Sequence, residues 1–274
     1  MIIDFHTHIF PDRIAKGAIG ALSTQGHIPP HTDGTAAGLR AAMRDAGVDM
    51  AVNLPVLTKP TQFDSVCRFA EEMNENLDTP RRILSFVGMH PRMEDACERL
   101  YELRERGIRG IKIHPDYQGT FIDDEAYVRI LACAKSLGLI TVTHAGLDGA
   151  YVGQPIKCTP TRVLRLLDRL GGYDRLVLAH LGANAMYAEV MDTLAGERVY
   201  FDTAYSLHDI SREDILRLVD KHGDGRILFA TDSPWRNIRE ELTRLRSFGL
   251  SKESEARILG GNATELLGLS GGEC

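Results

Sequence analysis

The sequence predicts an α/β fold, a single (β/α)8 TIM barrel over residues 1–274, on three observations. Short apolar, β-branched runs alternate with helical patterns from one end to the other, and eight such units close a barrel. Several of the runs are apolar on both faces, as in Arg175-Leu-Val-Leu-Ala-His180 and Arg226-Ile-Leu-Phe-Ala-Thr231. Strands of that kind are parallel strands covered by helices on each side. The length suits one barrel, with no internal repeat, low-complexity tract or interdomain linker to divide it.

Strands are expected at about 2–8, 49–56, 82–89, 108–114, 139–144, 176–181, 198–203 and 227–231, each bounded by chain-breaking residues. The helices between them carry their own signals. Asp123-Asp124-Glu125 opens a run with Tyr127, Ile130, Leu131 and Ala134 at helical spacing. Gly138 closes it, and acids first with glycine last fit the helix dipole and a left-handed cap. Thr159-Pro160 starts a second run through Val163, Leu164, Leu166 and Leu167 to Gly171-Gly172, with proline at the first turn. Ser211 to Asp214 resembles a capping box ahead of the last strand. Two connections stand apart. Residues 9–33 are read as a long connection without an element of its own, and Leu147–Lys157 as a Gly-rich loop; such segments shape active sites.

Composition sets the limits. The 43% hydrophobic fraction is that of a globular chain with a substantial core. The net charge of −6 without a basic block argues against nucleic acid as a partner. Met1 leads directly into a strand, with no leader of signal-peptide pattern. No apolar run approaches the length of a membrane span. Cys67, Cys97, Cys133, Cys158 and Cys274 are odd in number and scattered, so reduced thiols in a cytoplasmic protein are expected. A homodimer is a candidate assembly.

The chemistry stands at the ends of the apolar runs. In Asp4-Phe-His6-Thr-His8 the two histidines lie two apart, on one face of a strand, and two imidazoles so placed can grip one ion. His144 ends Thr-Val-Thr-His-Ala-Gly, His180 ends Val-Leu-Ala-His-Leu-Gly, and Asp232 follows Phe-Ala-Thr. In a barrel all of these reach the C-terminal edge, where active sites lie. Asp232 follows a buried run, where an unpaired charge is costly and a bound cation relieves it. Lys112 and His114 share a strand face in Gly110-Ile-Lys-Ile-His114-Pro. Lys112 has three candidate roles there: a barrel ion pair, a cation for a substrate carboxylate, or a carbamylated bridge between two metals. His27, His31, His90, His208 and His222, taken singly, read as surface or capping residues.

The ordered set His6-x-His8, Lys112, His144, His180 and Asp232, with the phrases Gly-Ile-Lys-Ile-His-Pro, Val-Leu-Ala-His-Leu-Gly-Ala and Phe-Ala-Thr-Asp-Ser-Pro, resembles the amidohydrolase superfamily. The match is to its amidohydrolase-related branch of metallo-dependent hydrolases, which includes aminocarboxymuconate-semialdehyde decarboxylase. Ile258-Leu-Gly-Gly-Asn262-Ala263 looks like the closing helix of that branch. The resemblance implies a divalent metal, zinc first, held by His6, His8, His144 and Asp232; carbamylation of Lys112 would make it two ions. It also implies Asp232 as general base toward a metal-activated water and His180 as the group that hydrogen-bonds the developing oxyanion.

The expected reaction is hydrolysis of a small amide, ester or lactone. The alternative is a lyase, a decarboxylase or hydratase acting on an aromatic or unsaturated carboxylate, for which Lys112, His114 and Arg236 are the substrate-binding candidates. A basic cluster in the pocket would favour an acid substrate in either reaction. Gly-Met-His90-Pro is also a phrase of TatD-like deoxyribonucleases, but the acidic balance and the missing glutamate on the fourth strand argue against a nuclease. A non-enzymatic metal-binding barrel would be expected to lack a ligand, and none is lacking.

Overall fold

Residues 1–75, 77 and 79–269 are described in the computed structural model. In chain order the elements are β1 Ile3–Thr7, α1 Asp12–Gly26, α2 Ala36–Ala46, β2 Met50–Asn53, α3 Phe63–Asn74, β3 Arg82–Ser85, β4 Val87–Gly88, α4 Ala96–Glu105, β5 Gly110–Ile113, α5 Pro115–Gln118, α6 Glu125–Ser136 and β6 Ile140–Thr143. There follow α7 Pro160–Leu170, β7 Leu176–Leu178, α8 Tyr187–Thr193, β8 Tyr200–Asp202, α9 Arg212–His222, β9 Ile227–Leu228, α10 Ile238–Ser247, α11 Lys252–Ala256 and α12 Asn262–Leu267. All eight expected strand positions hold strands, and the fold class is the (β/α)8 barrel. The run expected at 82–89 is interrupted at Phe86, leaving β3 and β4.

The chain groups into two compact units. The first comprises residues 1–53, 72–84 and 202–274. In it β1 pairs in parallel with β2, and β3 follows β2 in the sheet. On the other side of β1 runs the segment around β9, joined by Phe5 N to Phe229 O at 2.9 Å and by a parallel bridge between Thr7 and Ser233. All five residues of β1 are buried, polar ones included, as a strand covered on both faces requires. The second unit comprises residues 54–71 and 85–201, and its strands β4 to β8 pair in parallel in sequence order. Its core is the apolar set of those strands, with Val87, Ile111, Ile113, Val142, Leu176 and Phe201 fully buried.

The capping signals act as read. Asp124 accepts from Ala126 N, Thr159 from Arg162 N and Ser211 from Asp214 N. Gly171 closes α7 in the left-handed region at φ 61°. Two expectations are corrected. Residues 9–33 contain a helix, α1, fifteen residues long. It buries only Ala15 and Ile19, has no side-chain N-cap, and carries Gly17 and Gly20, each of low helix propensity. Packing of a thin apolar stripe, rather than intrinsic preference, stabilises it.

The second correction concerns the thiols. Cys97 of α4 and Cys133 of α6 form a disulfide, 36 residues apart in sequence with Cα atoms at 5.7 Å. That Cα distance is normal for a bridge, and the packing of α4 beside α6 that creates it cannot be seen in cysteine spacing. Cys67 and Cys158 are free and buried, and Cys274 lies outside the described residues.

Gly110 is required where it stands. A Cβ there would lie 2.4 Å from Phe86 Cε2 and 2.7 Å from the carbonyl oxygen of Ile140. Gly110→Ala should therefore lower unfolding free energy by about 1–3 kcal/mol through overpacking, read as a lower urea midpoint at unchanged m-value.

Candidate metal centre and active site

In the first unit, strand alternation sends His6 and His8 to one side of β1, and Asp232 meets them from the segment after β9. His6 Nε2 lies 3.2 Å from His8 Nε2, and Asp232 Oδ1 lies 3.1 Å from His8 Nε2 and 3.4 Å from His6 Nε2. A tetrahedral ion with bonds of about 2.05 Å spaces its ligand atoms about 3.3 Å apart, so the three donors already stand at ligand separations. His6 Nδ1 is 2.8 Å from Asp202 Oδ2, with both residues buried. The carboxylate accepts a hydrogen bond from Nδ1–H and leaves the Nε2 lone pair facing the cluster, a common support for metal-binding histidine. Asp232 itself sits at φ 67°. Aspartate tolerates this left-handed conformation, which marks positions held by their surroundings.

Asp4, the acid of the same motif, is not part of the donor cluster. It accepts from Thr231 Oγ1 at 2.6 Å and Thr231 N at 3.0 Å, which ties β1 to the residue before Asp232. Burial pushes its carboxyl up to about 7, with the Thr231 hydrogen bonds pulling the other way.

In the second unit His144 and His180 meet, His144 Nδ1 lying 3.0 Å from His180 Nε2. His114 stacks on His144 with ring centroids 4.2 Å apart and planes 7° from parallel, and its Nε2 is 3.3 Å from Asp148 Oδ2. Donor atoms of His114, His144 and Asp148 all lie within 4.8 Å of one another. Burial first, then the nearby His114 and His180, hold His144 well below the usual imidazole range, so its ring is neutral. Its Nε2 is buried and makes no hydrogen bond. Lys112 is fully buried on β5, and its charge adds to the downward push on His144.

The structure thus brings His6, His8 and Asp232 together in one unit, and His114, His144 and His180 in the other. Arg236 belongs to the first unit, where its guanidinium lies 3.9 Å over the Tyr205 ring. Sequence reasoning misses Asp202, Asp148 and Tyr205. Asp202 has a signal, since it closes an apolar strand just as Asp232 does. Asp148 and Tyr205 have none, because their roles arise from loop conformation. Glu241 of α10 is also missed. It is fully buried, and neither of its carboxyl oxygens makes a hydrogen bond, although His208 Nε2 is 3.0 Å from Oε1. Burial pushes its carboxyl up to about 8 against the pull of Arg236.

The amidohydrolase family model matches residues 3–269, so the chain belongs to the amidohydrolase family. No curated protein matches it in sequence. Among solved structures it is similar to 2,6-dihydroxybenzoate decarboxylase in complex with 2,6-dihydroxybenzoate, at 19% identity and TM-score 0.72 over 98% of this chain and 99% of that one. It is also similar to a dihydroxybenzoic acid decarboxylase from Polaromonas sp. JS666 with bound manganese and 2-nitroresorcinol, at 18% identity and TM-score 0.67 over 98% and 97% of the two chains. A third is a putative 2-pyrone-4,6-dicarboxylic acid hydrolase from Pseudomonas putida, at 17% identity and TM-score 0.66 over 97% of each chain. The likenesses establish the barrel fold over 97–98% of the chain. The protein is an enzyme of the amidohydrolase superfamily with donor groups suited to a divalent metal. No described helix is long and apolar enough to cross a membrane.

Two outcomes follow. His8→Ala should cut bound divalent metal at least about tenfold by elemental analysis. Far-UV circular dichroism should stay unchanged, because the His8 side chain is 17% exposed and outside the apolar core. Glu241 releases its proton near 4.5 when unfolded and near 8 when folded, so its contribution to stability is present at low pH and is lost as pH rises through that window. The Tm difference between Glu241→Gln and the native chain should therefore move in favour of the variant between pH 5 and pH 8. A pH-independent difference would show that Glu241 is ionised throughout.

Proposed function

We propose that the protein is a zinc-dependent hydrolase of a small amide, ester or lactone. The observation that carries this reading is the convergence of His6 Nε2, His8 Nε2 and Asp232 Oδ1 at 3.1–3.4 Å. Two imidazoles and a carboxylate are zinc-type donors, and His144 is the further ligand that the family resemblance implies. The neutral His144 ring and its unpartnered Nε2 support that role. A bound divalent ion supplies Lewis acidity toward water and toward a substrate carbonyl.

The chain's own residues do the rest. Asp202 holds His6 in the tautomer that presents Nε2. Asp232 takes the proton of the attacking water and returns it to the leaving group. His180, whose Nε2 meets His144 Nδ1, is the group that hydrogen-bonds the developing oxyanion in the mechanism the family resemblance implies.

A specific observation also favours a second reading, a lyase acting on an aromatic acid. The guanidinium of Arg236, fixed on Tyr205 four residues beyond Asp232, suits a substrate carboxylate, and decarboxylases are among the proteins of similar fold. Both readings are tested together by supplying 4-nitrophenyl acetate, dihydrocoumarin and 2,6-dihydroxybenzoate to the zinc- or manganese-loaded enzyme in 18O water. Hydrolysis should place 18O in the acid product, and Asp232→Asn should lower kcat at least about a hundredfold. Carbon dioxide release without hydrolysis of either ester would establish the lyase instead.

A further inference from the structure

His114 is constrained from several directions. It directly follows β5, caps α5 and is buried, and its ring stacks both on His144 and on Tyr117, the latter at 4.0 Å. Its Nδ1 accepts from Tyr117 N at 3.4 Å. A neutral imidazole that accepts at Nδ1 carries its proton on Nε2, and that nitrogen faces Asp148 Oδ2 at 3.3 Å. Asp148 is anchored in turn, since its Oδ1 accepts from Ala150 N at 2.7 Å and caps the turn Gly149–Tyr151. Both His114 nitrogens are therefore occupied within the protein. The ring has no lone pair left for an ion or a substrate, although it belongs to a cluster with ligand-like spacing.

We infer that Asp148 and His114 are a positioning pair for His144. The carboxylate fixes the His114 ring, and that ring, packed face to face against His144, keeps the His144 Nε2 aimed in one direction. His180 fixes the other nitrogen of His144. Two restraints at right angles, a hydrogen bond in the ring plane and a parallel ring against its face, leave His144 no rotation to average over. Asp148 comes from the Gly-rich loop after β6, so the loop conformation is transmitted to His144. The functional consequence rests on the reading of His144 as a metal ligand; the positioning itself does not.

The test compares Asp148→Ala, Asp148→Asn and the native holoenzyme by zinc retained on dialysis, ester hydrolysis, Tm and 15N–1H spectra of the histidine rings, with His144 assigned by its loss in His144→Gln. Asp148→Ala should weaken zinc retention about tenfold to a hundredfold and lower kcat about tenfold, with KM within about twofold and an averaged His144 ring spectrum. Asp148→Asn keeps an acceptor oxygen and should restore all of these to near native values. Unchanged zinc, kcat and His144 spectrum in Asp148→Ala would overturn the pair, as would a lower Tm alone. Two zinc ions per native chain, one of them lost in Asp148→Ala, would also overturn it by making the cluster a metal site. A native chain without zinc or esterase activity would count against the proposed function, and the His144 spectra would still decide the positioning pair.

Discussion

The register of residues 229–233 against β1 is the constraint on which the His6–His8–Asp232 donor cluster depends. Phe5 N bonds Phe229 O, Asp232 N bonds His6 O at 2.9 Å, and His8 N bonds Ser233 O at 2.6 Å. These main-chain bonds place the Asp232 carboxylate between two imidazoles that strand alternation has already put on one side. A slip of one residue would turn every side chain to the opposite face and dissolve the cluster. The Asp4–Thr231 hydrogen bonds lock the same register from the side chains, which accounts for an acid in the motif that lies outside the donor cluster.

The buried acids of this unit differ in how they are satisfied, and the differences separate their roles. Asp202 is paired with His6 and accepts from Ala204 N, so its charge serves to orient a ring. Asp4 is bonded to Thr231 through both oxygens. The Glu241 carboxyl makes no hydrogen bond, and a buried carboxyl in that position favours its neutral form. In the second unit the organising contacts are between rings. His144 is held edge-on by His180 and face-on by His114, with centroids 4.8 Å and 4.2 Å away. Aromatic contacts of this kind fix the orientation of the His144 ring.

Much of the architecture is legible along the chain because it follows from local periodicity. The eight strand positions, the caps at Asp124, Thr159 and Ser211, and the stop at Gly171 each depend on a few neighbouring residues. Helix α1 is not legible, since two buried residues in fifteen leave a period too faint to separate from a loop. The Cys97–Cys133 bridge is hidden for a related reason: residues 36 apart become neighbours only when α4 and α6 pack together.

For the site, the residue types at strand ends and the shared face of His6 and His8 are written in the chain, because a period of two is a property of any strand. So is membership of the amidohydrolase family, through motifs spread along the whole chain. The partners those residues meet come from the folded chain alone. Asp202 against His6, Thr231 against Asp4 and Asp148 against His114 are contacts between segments far apart in sequence, set by strand register and loop conformation. Local sequence carries no record of such pairings, since the hydrogen bonds and packing that create them act only once distant strands lie side by side.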